Sequence, residues 1–331
     1  MATVKDVARR ANVSTATVSR IINNQDTVSP EIRERVLTAI QELDYRPSRV
    51  ARRLRTNSTF VIGLVISDIQ NSFYTSLTRG VEDVASANGY SLLLCNTDED
   101  PHRERKYLEV MHEENVAGII LASATENEHE VKLINAGIPV VALDRVITDV
   151  AVDTVLVDNT AGARQAVEHL MARGHRRIGA ILGERPITSS IERLAGYEEA
   201  LRNSGLSVDP DLIRRADLRQ VDDSTRCAAE LLDLPERPSA LFTGNSLITL
   251  GALRAINAAG LRIPRDVALV AFDDIPWGEW LDPPLTAIRQ PTYRLGQTAA
   301  EMLLARIAEP GRPVAQVRLP AELIVRASSG A

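Results

Sequence analysis

The stretch VKDVARRANVSTATVSRIINNQDTVSPEIRERVLTAIQELDY, residues 4–45, decides how the chain begins. Thr3 with Asp6 three residues on makes a capping-box-like start, and Val4, Val7, Ala8 and Ala11 then share one helical face. Asn12-Val13 breaks that pattern. Ser14 suits an N-cap, and Thr15 to Ile22 reads as a second helix with Val18, Ile21 and Ile22 on its apolar side. Ser29-Pro30-Glu31 opens a third helix with a cap, a first-turn proline and a first-turn acid. Ile32, Val36, Ile40 and Leu43 line its buried side. Two short helices across a tight turn, buttressed by a third, predict a helix-turn-helix unit. Thr15, Ala16, Thr17, Ser19 and Arg20 are left facing out. Small side chains there let a backbone approach base edges, and Arg20 can donate two hydrogen bonds to guanine O6 and N7. The hydroxyls of Ser14 and Thr17 and the amide of Asn23 suit phosphate oxygens, which position a protein without specifying sequence. On spacing alone, a small helical protein-interaction domain reads the same way.

Outward from this stretch, residues 47–58, PSRVARRLRTNS, are basic and open with proline. Val50, Ala51 and Leu54 fall at helical spacing, but so short a segment does not hold a helix alone in water. It is either a flexible linker or an element that folds on docking. Eleven Lys/Arg against six Asp/Glu give residues 1–58 a charge of +5; the whole chain is −6, so the remainder is −11. A basic head on an acidic body directs a polyanion to the head alone. No run approaches the roughly 18 apolar residues of a membrane span, and the polar first residues make no signal peptide. Both features point to the cytoplasm. Cys95 and Cys227 stand in unrelated segments, the pattern of buried thiols rather than of a disulfide framework or a zinc site.

From Phe60 onward the chain alternates apolar strands with amphipathic helices. Strands read at 60–66, 90–96, 117–123, 139–144, 153–158, 177–183, 239–245 and 266–274, with helical stretches between the first four. Such alternation predicts parallel, doubly wound sheets with helices on both faces, an α/β body behind an all-α head. Ile62-Gly63 and Ile178-Gly179 open similar strands, which suggests two like halves. Open α/β lobes take ligands in the crevice at the carboxyl ends of their strands. The polar and aromatic residues at those ends are Asn71, Phe73, Tyr74, Asp144, Asp158, Arg193, Asn245, Asp273 and Asp274. Carboxylates, amides and a guanidinium around aromatic rings suit a polyhydroxylated ligand. Each of these residues, alone, also suits a helix cap or an ion pair.

No enzyme is expected. GLVISDIQNS, residues 63–72, lacks the glycines of a phosphate loop, and no nucleophile elbow or metal-spaced histidine pair occurs. His169 and His175 flank a helix end beside Gly174, where an imidazolium suits the helix dipole. Asp273 and Asp274 are adjacent at a strand end and point to opposite sides, which argues against a catalytic pair. A transport sugar-binding module or an α/β enzyme fits the body alone; the basic head, the lack of a signal and the lack of a catalytic constellation speak against both.

Residues 4–54 closely resemble the DNA-binding head of lactose- and galactose-repressor family regulators. The resemblance continues more loosely through VEHLMARGHRRIGAI (167–181), ERLAGYEEAL (192–201), LGALRAI (250–256) and VALVAFDDIPWGEWLDPPLTAIRQP (267–291). It implies a reader at 1–46, a hinge at 47–58, and two lobes of periplasmic-binding-protein type. One lobe takes 59–157 and 290–320, the other 158–289 and 321–331. It also implies a homodimer on a palindromic operator, with no cofactor and no membrane, repressing under the control of a small carbohydrate effector. In the hinge, Leu54 matches the residue that wedges between central base pairs in the minor groove, with Ala51 beside it. Effector positions of the family correspond to Asn71, Phe73, Tyr74, Asp144, Asp158, Ser189, Arg193, Asn245 and Asp273. The chain departs from the pattern at Ser246, Ile187, Leu218 and Val157. Trp277 and Trp280 fall near the crevice mouth, where a ring could stack on a sugar or serve an interface.

Overall fold

The computed structural model describes residues 2–22, 28–45, 59–123, 133, 136–148, 150–184, 187–217 and 220–330. The chain divides into two compact units, Met1–Thr59 and Phe60–Ala331.

The first unit has helices α1 (Val4–Ala11), α2 (Thr15–Ile22) and α3 (Pro30–Glu42). Its capping chemistry explains its brevity. Asp6 N donates to Thr3 Oγ1 at 3.3 Å while Thr3 N donates to Asp6 Oδ2 at 2.9 Å, a reciprocal capping box. Asn12 then turns left-handed at φ 52° and ends α1. Ser14 Oγ accepts from Thr17 N at 3.0 Å and starts α2. Val7, Ala8, Ala11, Val18, Ile21, Val36 and Ala39 close over one another as a small core. Arg10 and Glu42 tie α1 to α3 at 2.6 Å. Asn23 and the segment 46–58, which carries Ala51 and Leu54, lie outside the described residues.

The second unit holds two six-stranded sheets. The first has the order β11-β5-β4-β3-β1-β2. Its strands are β1 (Val61–Ile66), β2 (Ser91–Asn96), β3 (Gly118–Leu121), β4 (Val140–Leu143), β5 (Asp153–Val157) and β11 (Gln316–Leu319). The second has the order β12-β10-β9-β8-β6-β7. Its strands are β6 (Ile178–Gly183), β7 (Ile213–Ala216), β8 (Ala240–Thr243), β9 (Ala268–Phe272), β10 (Thr286–Arg289) and β12 (Glu322–Ile324). Every pairing is parallel except β10 with β12. The chain crosses between sheets three times, after β5, after β10 and after β11.

Both faces of each sheet are covered, so the strands are apolar throughout instead of alternating with polar residues. Ile62, Leu64 and Ile66 of β1 pack into one core of the first sheet, and Val65 into the core on the opposite face. Each such fully buried side chain contributes about 1.5–3 kcal/mol. Helices α4 (Ser72–Ala87) and α10 (Thr292–Ala308) cover one face of the first sheet and meet each other at glycines, and α5 (Pro101–Glu113) lies on the opposite face. A Cβ on Gly80 would lie 2.1 Å from Tyr293 O, and one on Gly296 2.0 Å from Leu77 O. Any side chain there would force the helices apart. Helices α6 (Asn159–Ala172) and α7 (Thr188–Asn203) cover one face of the second sheet; α8 (Val221–Leu232) and α9 (Ser246–Ala258) cover the other.

Four strands do not appear in the sequence reading: β7, β10, β11 and β12. They are short and interrupted by Arg214, Arg215, Arg289, Arg318 and Glu322. Three of them are sheet edges, where one side meets solvent and charge is tolerated. The helix expected between the third and fourth strands falls almost wholly outside the described residues.

Candidate functional site

The carboxyl ends of the two sheets enclose a cleft of about 470 Å³. Asn71, Phe73, Tyr74, Asp144, Ser189, Arg193, Asn245 and Asp273 line it, so eight of the nine residues expected to touch an effector come together there. The ninth, Asp158, does not line it. Its Oδ1 accepts from Ala161 N at 3.0 Å and caps α6, the alternative use of a strand-end carboxylate.

On the side of the first sheet, Asn71 caps α4 by accepting from Phe73 N at 3.0 Å. That cap starts the helix that carries Phe73 and Tyr74, whose rings meet edge to face with centroids 4.9 Å apart. The Tyr74 hydroxyl lies 3.2 Å from Ser67 Oγ and 3.3 Å from Asp144 Oδ2. Burial pushes the Tyr74 hydroxyl up and keeps it neutral. Burial also raises the Asp144 carboxyl, against the opposing pull of Arg145 and Arg193.

On the side of the second sheet, Arg193 is buried on α7. Its Nε donates to Asn159 Oδ1 at 2.9 Å, its Nη1 to Gly244 O at 2.5 Å, and its Cζ sits 3.8 Å over the Phe272 ring. Among the described residues no carboxylate lies within ion-pairing distance of it. Burial lowers its pKa, and Asp273 and Asp144 act the other way. Asp273 accepts from Ser246 N at 3.2 Å and from Gln290 Nε2. Asn245 Oδ1 caps α9 through Ile248 N at 2.8 Å.

Arg145 and Gln290 also line the cleft and were not among the expected residues. Arg145 pairs through both Nη atoms with Glu99 and donates to Ser123 O at 2.7 Å. Burial alone would lower its pKa, but its pair with Glu99 and the nearby Asp144 outweigh it and hold the guanidinium charged. Among the described residues its buried Nε, 3.8 Å from Asp144 Oδ2, and the buried Gln290 Oε1 have no hydrogen-bond partner. Arg145 stands directly after Asp144 at its strand end, a signal the sequence carried; Gln290 follows β10, a strand that its charged neighbours concealed.

Four cleft residues, Asp98, Glu99, Asp144 and Asp273, have φ of 52°, 57°, 66° and 83°. Left-handed backbone at non-glycine residues costs of order 1–3 kcal/mol each and concentrates at functional sites. Glu99, Asp144 and Asp273 are buried there, whereas Asp98 is exposed and pairs with Arg103. Formally the lining carries five carboxylates, Asp68, Asp98, Glu99, Asp144 and Asp273, against two guanidiniums.

Several residues stand apart. Trp277 and Trp280 are exposed and do not line the cleft. Val157 is buried in the core of the first sheet, Ile187 lines the cleft, and Leu218 is outside the described residues. Asp274 turns away from Asp273 and pairs with Arg289 and Arg326, each at 2.7 Å. His169 stands in the last turn of α6, where burial and Arg173 push its pKa down and Nε2 lies 2.8 Å from Ser329 Oγ. Burial does the same to His175. Both cysteines are buried and free, and among the described residues no cluster offers a metal site. No described helix is long and apolar enough to cross a membrane.

In the first unit, Ser14, Thr15, Ala16 and Arg20 are exposed on one short stretch of α2 and its cap, with Thr17 half-buried beside them. The Ser14 hydroxyl is occupied by its cap and by Thr17 Oγ1 at 2.9 Å.

Residues 3–48 match the model for bacterial regulatory proteins of the lacI family, and residues 167–329 that for a periplasmic binding protein-like domain. The ribose operon repressor of Halalkalibacterium halodurans is 39% identical over 98% of this chain and 96% of its own. The crystal structure of the lac repressor dimer bound to operator and the anti-inducer ONPF is similar at a TM-score of 0.87 and 28% identity, covering 99% of each chain. A LacI family transcriptional regulator from Enterococcus faecium, solved with bound ribose, is similar at a TM-score of 0.73 and 30% identity, over 81% of this chain and 98% of that one.

Proposed function

This chain belongs to the lacI family of bacterial regulatory proteins, as a DNA-binding regulator under ligand control, and from that premise we propose that it represses transcription as a homodimer released or secured by a small uncharged sugar. Residues 1–46 read a half-site of a near-palindromic operator, and two heads read two half-sites. Arg20 supplies direct base contact; Thr15 and Ala16 allow close approach; Ser14, Thr17 and Asn23 position the backbone. Residues 47–58 fold in pairs on the operator, with Leu54 and Ala51 in the minor groove. The body divides at the sheet crossings into a lobe of 59–157 with 290–320 and a lobe of 158–289 with 321–331. The protein works in the cytoplasm, beside its DNA.

The observation that carries the ligand reading is the meeting of Asp144 and Asp273, from opposite sheets, around Arg193 in one cleft. Carboxylates accept from hydroxyls while a guanidinium donates to ring or hydroxyl oxygens, and Phe73 offers an apolar face. The excess of carboxylates disfavours a phosphorylated ligand. The relative named for the ribose operon and the neighbour solved with ribose make D-ribose the first candidate. The test is full-length protein on an operator selected from random duplexes, titrated with D-ribose and with D-ribose 5-phosphate. D-Ribose should change operator affinity by about 5- to 150-fold and raise the melting temperature. Indifference to D-ribose, or a stronger response to the phosphate, contradicts the reading.

A further inference from the structure

Arg318 Nη2 lies 2.8 Å from Glu192 Oε1, and this ion pair joins the two sheets' territories. Arg318 belongs to β11 of the first sheet, immediately before the chain's last crossing, and Glu192 to α7 over the second sheet. The other oxygen of Glu192, Oε2, accepts from Asn159 Nδ2 at 3.1 Å. Asn159 is fully buried, and its Oδ1 accepts from Arg193 Nε at 2.9 Å. One continuous set of hydrogen bonds therefore runs from the edge strand of the first sheet to the guanidinium that faces the cleft. Neither Arg318, Glu192 nor Asn159 lines the cleft.

A half-exposed ion pair adds little stability by itself. Its position gives it another use. Both lobes must move relative to each other for a cleft between them to open, and β11 carries Arg318 with the first lobe. When Arg318 leaves, Glu192 loses its cation, Asn159 loses a well-anchored acceptor, and the orientation of Arg193 is freed. The grip of Arg193 on a ligand then depends on the lobe arrangement, and by linkage the ligand biases that arrangement.

We propose that Glu192 and Arg318 are positioning residues that couple occupation of the cleft to the relative placement of the two lobes, through Asn159 and Arg193. This rests on the sugar reading above. Full-length protein with Glu192→Gln, Arg318→Gln or both is titrated with D-ribose on its operator. Each single variant should shrink the ribose-induced change in operator affinity by roughly 2- to 30-fold, while specific operator binding is retained. The double variant should lose no more than the worse single one. Wild-type response in the singles, or losses that multiply in the double, overturns the proposal. A second cycle needs no ligand. Arg318→Gln is combined with Arg193→Ala and urea midpoints are compared. Shifts smaller than the sum are expected of one network, and strict additivity overturns it. Wild-type protein that ignores D-ribose overturns the sugar assignment alone, because the second cycle still decides whether Arg318 reaches Arg193 through Glu192 and Asn159.

Discussion

Arg193 is held by three kinds of partner: an amide oxygen, a backbone carbonyl and the face of Phe272. None neutralises its charge, so the cleft keeps a fixed, desolvated donor between Asp144 and Asp273. Replacing it removes donors that a bound sugar cannot regain from water. Arg193→Ala should weaken D-ribose binding by about 1.5–3 kcal/mol and leave ribose-free operator affinity unchanged. Calorimetry and a gel-shift measure the two; wild-type ribose affinity in the variant removes Arg193 from the ligand's contacts. The same scale shows where single-residue reasoning falls short. Asp144 and Asp158 both follow apolar strands and both end in a carboxylate, yet one faces the cleft and the other a helix amide. Residue type does not separate them.

Elements separate them, because a helix start consumes whichever side chain stands at its N-cap. Asp158 precedes α6 directly, and Ala161 N takes its carboxylate. Asp144 has no described helix after it and turns inward at φ 66°. Asp158→Ala should therefore cost about 0.5–2 kcal/mol of stability and spare ribose affinity. A denaturant titration beside calorimetry checks this, and a variant that keeps its stability but loses ribose binding would return Asp158 to the site. Helix pairs obey an equally local rule. The Leu77 carbonyl occupies the space where Gly296 would carry a side chain, so close packing of α4 on α10 is written as two glycines. Asn71 serves twice, capping α4 and accepting from Ser246 Oγ across the cleft at 3.4 Å.

The whole molecule adds burial that no element has alone. His169 stands in the last turn of α6, but the chain end packs back over it and Ser329 reaches its Nε2. Burial, with Arg173 nearby, takes His169 below the ordinary histidine value of 6.5, and burial alone does so for His175. A depressed folded-state pKa leaves the folded chain with fewer protons than the unfolded one in mild acid. The stability concerned is complete above the unfolded value and is lost as pH falls through the folded value. The melting temperature should therefore drop between about pH 7.5 and pH 5.5, less steeply in His169→Gln. Scanning calorimetry across that range decides it; equal slopes in the variant and the wild type refute the assignment to His169.

The sequence by itself determined the head, the strand–helix rhythm of the body and most of the cleft. These are local matters: caps at Thr3 and Ser14, apolar runs such as 61–66, and polar groups at strand ends follow from propensity and periodicity. The tertiary structure decided the rest. It assigned β11 and β12 to different sheets although they are two residues apart, because edge strands take their place from the partner they find. It brought Gln290 and Arg145 into the cleft and sent Asp158 to a helix. It also placed Arg318 against Glu192, a meeting of residues distant in sequence that no spacing along the chain encodes.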